Sequence, residues 1–528
     1  MSRSAQLRRL SIAGTLPIAC ALGIVPAKAR QSGPADAAAP GAGEAITITG
    51  VRQPYRGDFA LSEIPQAIAE IDADTLAENN ILRLSDALDL NASVARQNTL
   101  GGLWDAFAVR GFTGDENLPS GYLVNGFNGG RGFGGQRDVA GIERVEVLKG
   151  PAAALIGRGE PGGTINLVTK QAELGRSFGT STLQYGSFDQ LRAEADVNLA
   201  VTGGLTARLI GYAERGDGFR DTVSHRRWGL LPSVGLALGA RTRLTYDLEW
   251  TRTEVPFDRG IVVLDGEFDT VPRNRFLGEP ADGDTVARAN GHQLRLQHDF
   301  NDRWSLLLGA SMRDTLLTGA SSDAETVASR QKLYVDGRSL SRQRRTRRYD
   351  SEHGVVRAEI AGEFTAAGLR HRMLFGADHD EFTNDQLFQR VRPPVLTAAI
   401  SDAAGNVIDI LNPVYGRPLP TPLPQTDRVD AQRATGFYLQ DQISLSDRLQ
   451  VRVGGRYDDF LLRTDNRLTG TLSERGEGRF SPQAGIVYRA GAPVTLFAAY
   501  GEGFRANIGT DVAGVILPPE TSRSIELG

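Results

Sequence analysis

Apolar and polar residues alternate with a period of two over long stretches of this chain. Leu191, Ala193, Ala195, Val197 and Leu199 fall on one side of a segment whose other side is Arg192, Glu194, Asp196 and Asn198. Leu244, Tyr246, Leu248 and Trp250 alternate with Thr245, Asp247, Glu249 and Thr251. Leu449, Val451, Val453 and Tyr457 alternate with Gln450, Arg452, Arg456 and Asp458. A period of two predicts β-strands with two chemically distinct faces. A soluble sandwich alternates in the same way, with its apolar face turned inward. No single strand therefore separates it from a membrane barrel.

The connections separate them. Tight-turn signals lie at Thr202-Gly203-Gly204, Gly239-Ala240-Arg241, Asn301-Asp302-Arg303, Thr365-Ala366-Ala367-Gly368, Ser446-Asp447-Arg448 and Gly491-Ala492-Pro493. Longer links alternate with them, over residues 215–225, 252–288, 321–345, 384–433 and 464–479. Short turns on one rim and long loops on the other define an up-and-down outer-membrane barrel. A Greek-key sandwich has no reason to keep that rhythm. Many of the paired strands reach about ten residues, enough for a tilted strand to cross a bilayer. The rhythm predicts twelve complete strands from residue 179 onward, with a thirteenth starting near Arg523.

Residues 30–178 read differently. Residues 30–43 are rich in Ala, Gly and Pro and predict a disordered linker. Glu44-Ala45-Ile46-Thr47-Ile48-Thr49-Gly50 is a short, β-branched, alternating segment. Over 51–178 the pattern is mixed: Ile68-Ala69-Glu70-Ile71 as a strand, Asp74 capping a helix through Asn80, and a second helix over 83–90. Glycine-rich connections follow, so a small α+β domain precedes the barrel. At the N-terminus Arg3, Arg8 and Arg9 lead an apolar stretch over 10–25, and Ala27-Lys28-Ala29 is a cleavage site. Residues 1–29 read as a signal peptide.

Composition narrows the function. The 528 residues exceed an ordinary compact domain. Lys+Arg 59 against Asp+Glu 63 leaves −4, which excludes a strongly basic nucleic-acid binder. The only lysines are Lys28, Lys149, Lys170 and Lys332, so a lone arginine carries little weight as a signal. Cys20 is the single cysteine and lies in the signal peptide, which excludes internal disulfides and thiolate metal sites. The six histidines lack metal-ligand spacing. No G-x-S-x-G, H-E-x-x-H or phosphate loop is present, so a secreted enzyme is disfavoured.

Ile142-Glu143-Arg144-Val145-Glu146-Val147-Leu148-Lys149-Gly150-Pro151, followed by Gly157-Arg158-Gly159-Glu160-Pro161-Gly162-Gly163-Thr164-Ile165-Asn166, resembles the plug signature of TonB-dependent outer-membrane receptors. Phe107-Ala108-Val109-Arg110-Gly111-Phe112 and Tyr122-Leu123-Val124-Asn125-Gly126 resemble two further plug strands. Residues 44–50 resemble the TonB box, and Pro519-Glu520-Thr521-Ser522-Arg523-Ser524-Ile525-Glu526-Leu527-Gly528 is similar to a barrel segment of the family. Ile156 departs from the aromatic that the family often carries there.

The resemblance implies an all-β transmembrane barrel with the small α+β plug inside it, in the bacterial outer membrane. It implies uptake of a scarce ligand, with TonB pulling on residues 44–50 and the proton motive force supplying energy. A passive porin would have no use for the plug or the box. Val255-Pro256-Phe257-Asp258-Arg259-Gly260 and Leu411-Asn412-Pro413-Val414-Tyr415 resemble ferric-siderophore receptors, so iron is expected only as a siderophore complex and no permanent cofactor is expected. Candidate ligand contacts are Glu116, Asn117, Arg131, Phe133 and Gln136 on the plug, with Phe257 and Arg259 on the barrel. Arg110, Arg144 and Lys149 are expected to latch the plug to barrel carboxylates such as Glu526. The run Arg342, Arg344, Arg345, Arg347 and Arg348 is expected at an external strand end, facing lipopolysaccharide phosphates or an anionic chelate. Family barrels close with about 22 strands, so the chain is expected to be a partial sequence whose barrel is unclosed.

Overall fold

The computed structural model describes residues 63–114, 118–128, 130–150, 162–263, 266–325, 327, 330, 337–393, 406–491, 494–507, 510–511 and 514–528. The signal peptide, the linker, the segment 44–50, Glu116, Asn117 and residues 151–161 lie outside them.

The N-terminal domain comprises β1 (Ile68–Asp72), α1 (Ala73–Glu78), α2 (Leu84–Leu88), β2 (Val94–Arg96), β3 (Phe107–Val109), β4 (Leu123–Val124), β5 (Ile142–Lys149) and β6 (Gly163–Thr169). Its sheet has the order β1-β5-β6-β4, with β4 parallel to β6, and β2 pairs separately with β3. Leu76, Leu84, Leu88, Val145, Val147, Ile165 and Leu167 form its core. The cap of α1 is Asp72, not Asp74: β1 runs straight into the helix, and Asp72 Oδ1 accepts from Thr75 N at 2.8 Å. Asp74 sits in the first turn, where a negative charge favours the helix dipole. The second helix is shorter than 83–90: Arg83 is extended, φ −128° and ψ 148°, and bridges to Asp138, and the helix ends at Leu88.

The remaining strands are β7 (Phe178–Gly186), β8 (Gln190–Thr202), β9 (Leu205–Asp217), β10 (Ser224–Ala237), β11 (Thr242–Pro256), β12 (Asp284–Asp299), β13 (Trp304–Ala324), β14 (Ser339–Ala366), β15 (Leu369–Val391), β16 (Val407–Asp409), β17 (Leu423–Ser444), β18 (Leu449–Asn466), β19 (Thr471–Gly491), β20 (Val494–Arg505) and β21 (Glu520–Leu527). They form one 15-stranded antiparallel sheet in which every strand pairs with its sequence neighbour, except β16, which adds to β14 off the main path. The count exceeds the expected twelve or thirteen. In the strand order, β7 and β21 stand at the two ends.

Burial decides which face of the sheet is which. In β8, Arg192, Asp196 and Asn198 are buried, whereas Val197 and Leu199 are exposed. In β11, Thr245 and Glu249 are buried while Tyr246 and Trp250 are exposed. In β18, Gln450, Arg452, Arg456 and Asp458 are buried, and Val453 and Tyr457 are exposed. A soluble sandwich would show the reverse. Polar residues inside and apolar residues outside are what a lipid-facing wall around a plugged lumen requires.

Among the described residues the short turns fall where the sequence places them, including Ala367 and Gly368, both at positive φ, between β14 and β15; Ala492 and Pro493 lie outside the described residues. One long link does not. Residues 464–479 are mostly strand, and only a turn at 467–470 joins β18 to β19. Asn466 Oδ1 accepts from the N–H groups of Leu468 and Thr469, and Gly470 takes φ +67°. Here β19 pairs on one side only, with β18, and its residues 471–479 are half-buried or exposed on both faces. The apolar period therefore fades at Ser473, Glu474, Arg475 and Glu477 although the strand continues.

Candidate functional site at the plug and lumen

Two of the expected latch residues meet. Arg110 follows β3 in a left-handed conformation, φ +52°, and its guanidinium donates to the Glu526 carboxylate on β21. Gly150, at φ +74°, lies against this pair, and a Cβ there would overlap Glu526. The other two latch residues behave differently. Arg144 pairs with Glu146 at 2.9 Å, Glu143 at 3.4 Å and Glu70 at 3.6 Å, all on the plug. The register places Glu70 opposite Glu146 on the facing strands, so Arg144 closes onto its own sheet. Lys149 is anchored through its backbone, to Ala67 O at 3.0 Å and from Gln66 Nε2 at 2.8 Å. Among the described residues no ion pair joins its side chain to the barrel.

The strongest plug–barrel ties involve residues that the sequence reading did not single out. Arg83 donates to Asp138 at 2.7 Å and to Glu214 on β9. Arg192 on β8 reaches both Asp138 and Glu214 at 2.9 Å. Arg137 pairs with Glu249 at 2.5 Å, and Arg313 joins the same carboxylate at 2.9 Å. Glu63 receives Arg372 at 2.9 Å and Arg489 at 2.7 Å. Charges this buried persist only when paired. Arg192 and Glu249 lie on the polar faces of strands that the alternation had identified. Arg83 and Asp138 come from irregular segments, where a charge next to Leu82 and Leu84, or next to Val139, is the only trace. Close by, burial pushes the Asp105 carboxyl up to about 6, against the pull of the Arg137 amide on Oδ2 at 2.7 Å. Its Oδ1 has no hydrogen-bond partner.

The ligand candidates separate into packing and polar groups. Phe133 and Phe257 are 2 % and 3 % exposed and share one apolar cluster with Leu103, Trp104, Val255 and Leu317. Phe133 packs edge-on to Trp104 at 5.4 Å and against Tyr349 at 4.6 Å. Both rings are covered by packing between plug and barrel. Arg131 donates to Gln432 at 2.9 Å and lies 4.6 Å over the Phe382 ring. Gln136 accepts from Arg227 at 3.2 Å, and Arg259 reaches Asp323 at 3.4 Å.

The basic run does not form one surface. Period two sends Arg345 and Arg347 to the lumen, where Arg345 lies 3.4 Å from Asp323 and Arg347 lies 4.6 Å over Phe257. Arg342 and Arg344 point the other way, into the external loops. Arg342 bonds the Gly278 carbonyl, Glu279 at 3.2 Å and Asn406 at 2.9 Å, while Arg344 pairs with Asp282 at 2.9 Å. Only Arg348 is exposed, at 3.3 Å from Asp350. Above the wall, Val271, Leu277, Leu340, Ile408 and Ile410 form an apolar core, and Tyr415 Oη donates to Phe276 O at 2.7 Å. The loop after β11, the start of β14 and the β16 segment thus make one folded cap. Among the described residues no cluster of His, Cys, Asp or Glu is arranged to hold a metal ion.

A lipid-facing wall around a domain held by lumenal ion pairs defines a plugged outer-membrane receptor. Residues 227–528 match the TonB dependent receptor-like β-barrel family, and residues 60–164 match the TonB-dependent receptor plug domain. The chain belongs to the TonB-dependent receptor family. It is 34% identical over 482 residues to the metal-pseudopaline receptor CntO of Pseudomonas aeruginosa, covering 90% of this chain and 65% of that protein. It is 24% identical over 522 residues to the ferrichrome outer membrane transporter/phage receptor of Escherichia coli, covering 92% of this chain and 67% of that protein. The crystal structure of the siderophore receptor PiuA from Acinetobacter baumannii shares the fold, with a TM-score of 0.78 at 20% identity, over 89% of this chain and 70% of that one. The chain spans 65% of the length of the first of these relatives. The family comprises receptors, not enzymes.

Proposed function

We propose that this protein takes up a metal–chelator complex of the ferric-siderophore type across the outer membrane, with TonB acting on residues 44–50. The observation that carries the reading is the character of the plug–barrel interface. Its ties include ion pairs and hydrogen bonds between charged groups, such as Arg83 with Glu214, Arg192 with Asp138, and Arg110 with Glu526. Such contacts can be exchanged for water one at a time under a pulling force, whereas a continuous apolar core would resist as a unit. Iron enters only as cargo inside its chelate. Lipopolysaccharide is the proposed neighbour of the outer wall.

The relatives support a metal chelate as ligand: one is a metal-pseudopaline receptor and another a ferrichrome transporter. Growth of an iron-limited strain on a ferric siderophore should require both this protein and TonB. Growth that needs the protein but not TonB would favour a passive channel. The CntO relationship favours a second reading, a chelate of another metal, which parallel uptake assays with zinc and nickel chelates separate from the first.

A further inference from the structure

The lumen carries an excess of guanidinium groups on adjacent strands near the external rim. The bond from Phe133 N to Thr315 Oγ1, 3.0 Å, sets the odd-numbered side chains of β13 toward the plug. Register then carries that face around the wall. Ser321 stands opposite Arg345, Gly319 opposite Arg347, Arg345 opposite Arg390, Arg347 opposite Phe388, and Gln386 opposite Arg428. Arg259 reaches the same region from the loop after β11.

Carboxylates do not match these cations in number. Arg259 and Arg345 share one oxygen of Asp323, each at 3.4 Å. Arg428 pairs with Asp430 at 2.8 Å. Arg390 donates to the Gln425 side chain at 3.0 Å, and Arg347 to Ser321 Oγ at 3.0 Å. The nearby Glu325 is held by Arg392 through bonds of 2.8 and 2.7 Å. Among the described residues five guanidiniums thus face two carboxylates.

The arrangement carries an electrostatic cost. Like charges directly opposite on neighbouring strands repel, and Arg345 stands opposite Arg390. The Nε groups of Arg345 and Arg390 are buried without a hydrogen-bond partner. An anion would relieve both defects, and a carboxylate fits best, because its two oxygens match the guanidinium fork. Phe257 covers one face of Arg347 at 4.6 Å, and Ser321 Oγ takes one of its N–H groups.

We infer that Arg259, Arg345, Arg347, Arg390 and Arg428 form a lumenal belt that binds net-anionic metal chelates bearing free carboxylates, and that it disfavours neutral and cationic chelates. This rests on the chelate-receptor reading above and narrows its substrate class. Lipopolysaccharide phosphates are not the anion, since these side chains face the lumen and lipopolysaccharide surrounds the wall.

Equilibrium binding to the full chain in detergent tests this with four probes: ferric citrate, ferric EDTA, a neutral ferric trihydroxamate and a cationic ferric trihydroxamate. The carboxylate chelates should bind at least about tenfold more tightly than the trihydroxamates. That binding should weaken several-fold between about 50 mM and about 500 mM salt. Arg345→Gln with Arg390→Gln should remove the preference, while Arg348→Gln, on the outer face, should leave it intact. Equal or tighter binding of the neutral or cationic chelate to the unaltered chain overturns the belt and leaves the receptor reading standing. Failure of every chelate to bind overturns both. The comparison on the unaltered chain decides the matter even if a variant does not fold.

Discussion

At the residue scale, the cost of a substitution depends on whether it strands a buried charge. Arg83, Asp138, Arg192 and Glu214 form one network, with Arg192 only 2 % exposed. Arg83→Ala leaves two carboxylates short of a cation and should cost about 3–5 kcal/mol. Arg348→Ala, at an exposed pair, should cost no more than about 0.5 kcal/mol. Urea unfolding in detergent, read by hydrogen exchange of plug amides, distinguishes these outcomes. Asp105 gives the plug a pH dependence. Its folded pKa, about 6, lies above the ordinary 3.8, so its contribution to stability is fully present below the ordinary value and lost as pH rises through about 6. Asp105→Asn should flatten that part of the stability profile between about pH 4 and about pH 7, and an unchanged profile would refute the assignment. Gly162 shows the same crowding in backbone form: a Cβ there would overlap the Val109 carbonyl, so Gly162→Val should loosen the β3–β6 contact.

At the scale of elements, each strand answers to two solvents. Leu230, 40% exposed in the middle of β10, faces lipid. Leu230→Arg should destabilise folding into bilayers by about 2–4 kcal/mol if it lies near the midplane depth, and measurably less near a rim. Denaturant titration in lipid vesicles reads the difference. The external cap depends on Arg342, which joins the Gly278 carbonyl, Glu279 and Asn406 across three chain segments. Arg342→Ala should expose residues 266–283 to limited proteolysis while the lumenal strands stay protected. Equal cleavage of both proteins would show that the apolar core of the cap suffices.

At the scale of the molecule, the proposed uptake requires that force on the N-terminal segment reach the plug. Deleting residues 44–50 should preserve chelate binding and abolish uptake. Loss of binding in the same variant would instead place the segment in the ligand site. Glu63, the first described residue, already contacts Arg372 on β15 and Arg489 on β19, so a pull entering from the N-terminal side meets barrel contacts before it meets the plug sheet. Glu63→Gln should lower the force needed to extract the plug in single-molecule pulling, with little effect on chelate affinity.

Sequence alone determined the strand rhythm, the two-faced wall and the plug signature. Period two and turn chemistry are local properties, set by backbone geometry and by a few residues at a time. The same locality explains its errors. The hairpin at 467–470 was hidden because the start of β19 is half-buried or exposed on both faces and so loses its apolar period. Phe133 and Phe257 read as ligand contacts because aromatic residues in loops look available until packing covers them. Arg144 read as a latch to barrel carboxylates, since Glu70 becomes its neighbour only when β1 pairs with β5. Tertiary structure alone decided that Arg83 meets Glu214, that Arg345 and Arg347 turn inward while Arg342 and Arg344 turn outward, and that Arg390 stands opposite Arg345. Those contacts join residues far apart in the chain, and the register that creates them is a property of the paired sheet rather than of any segment within it.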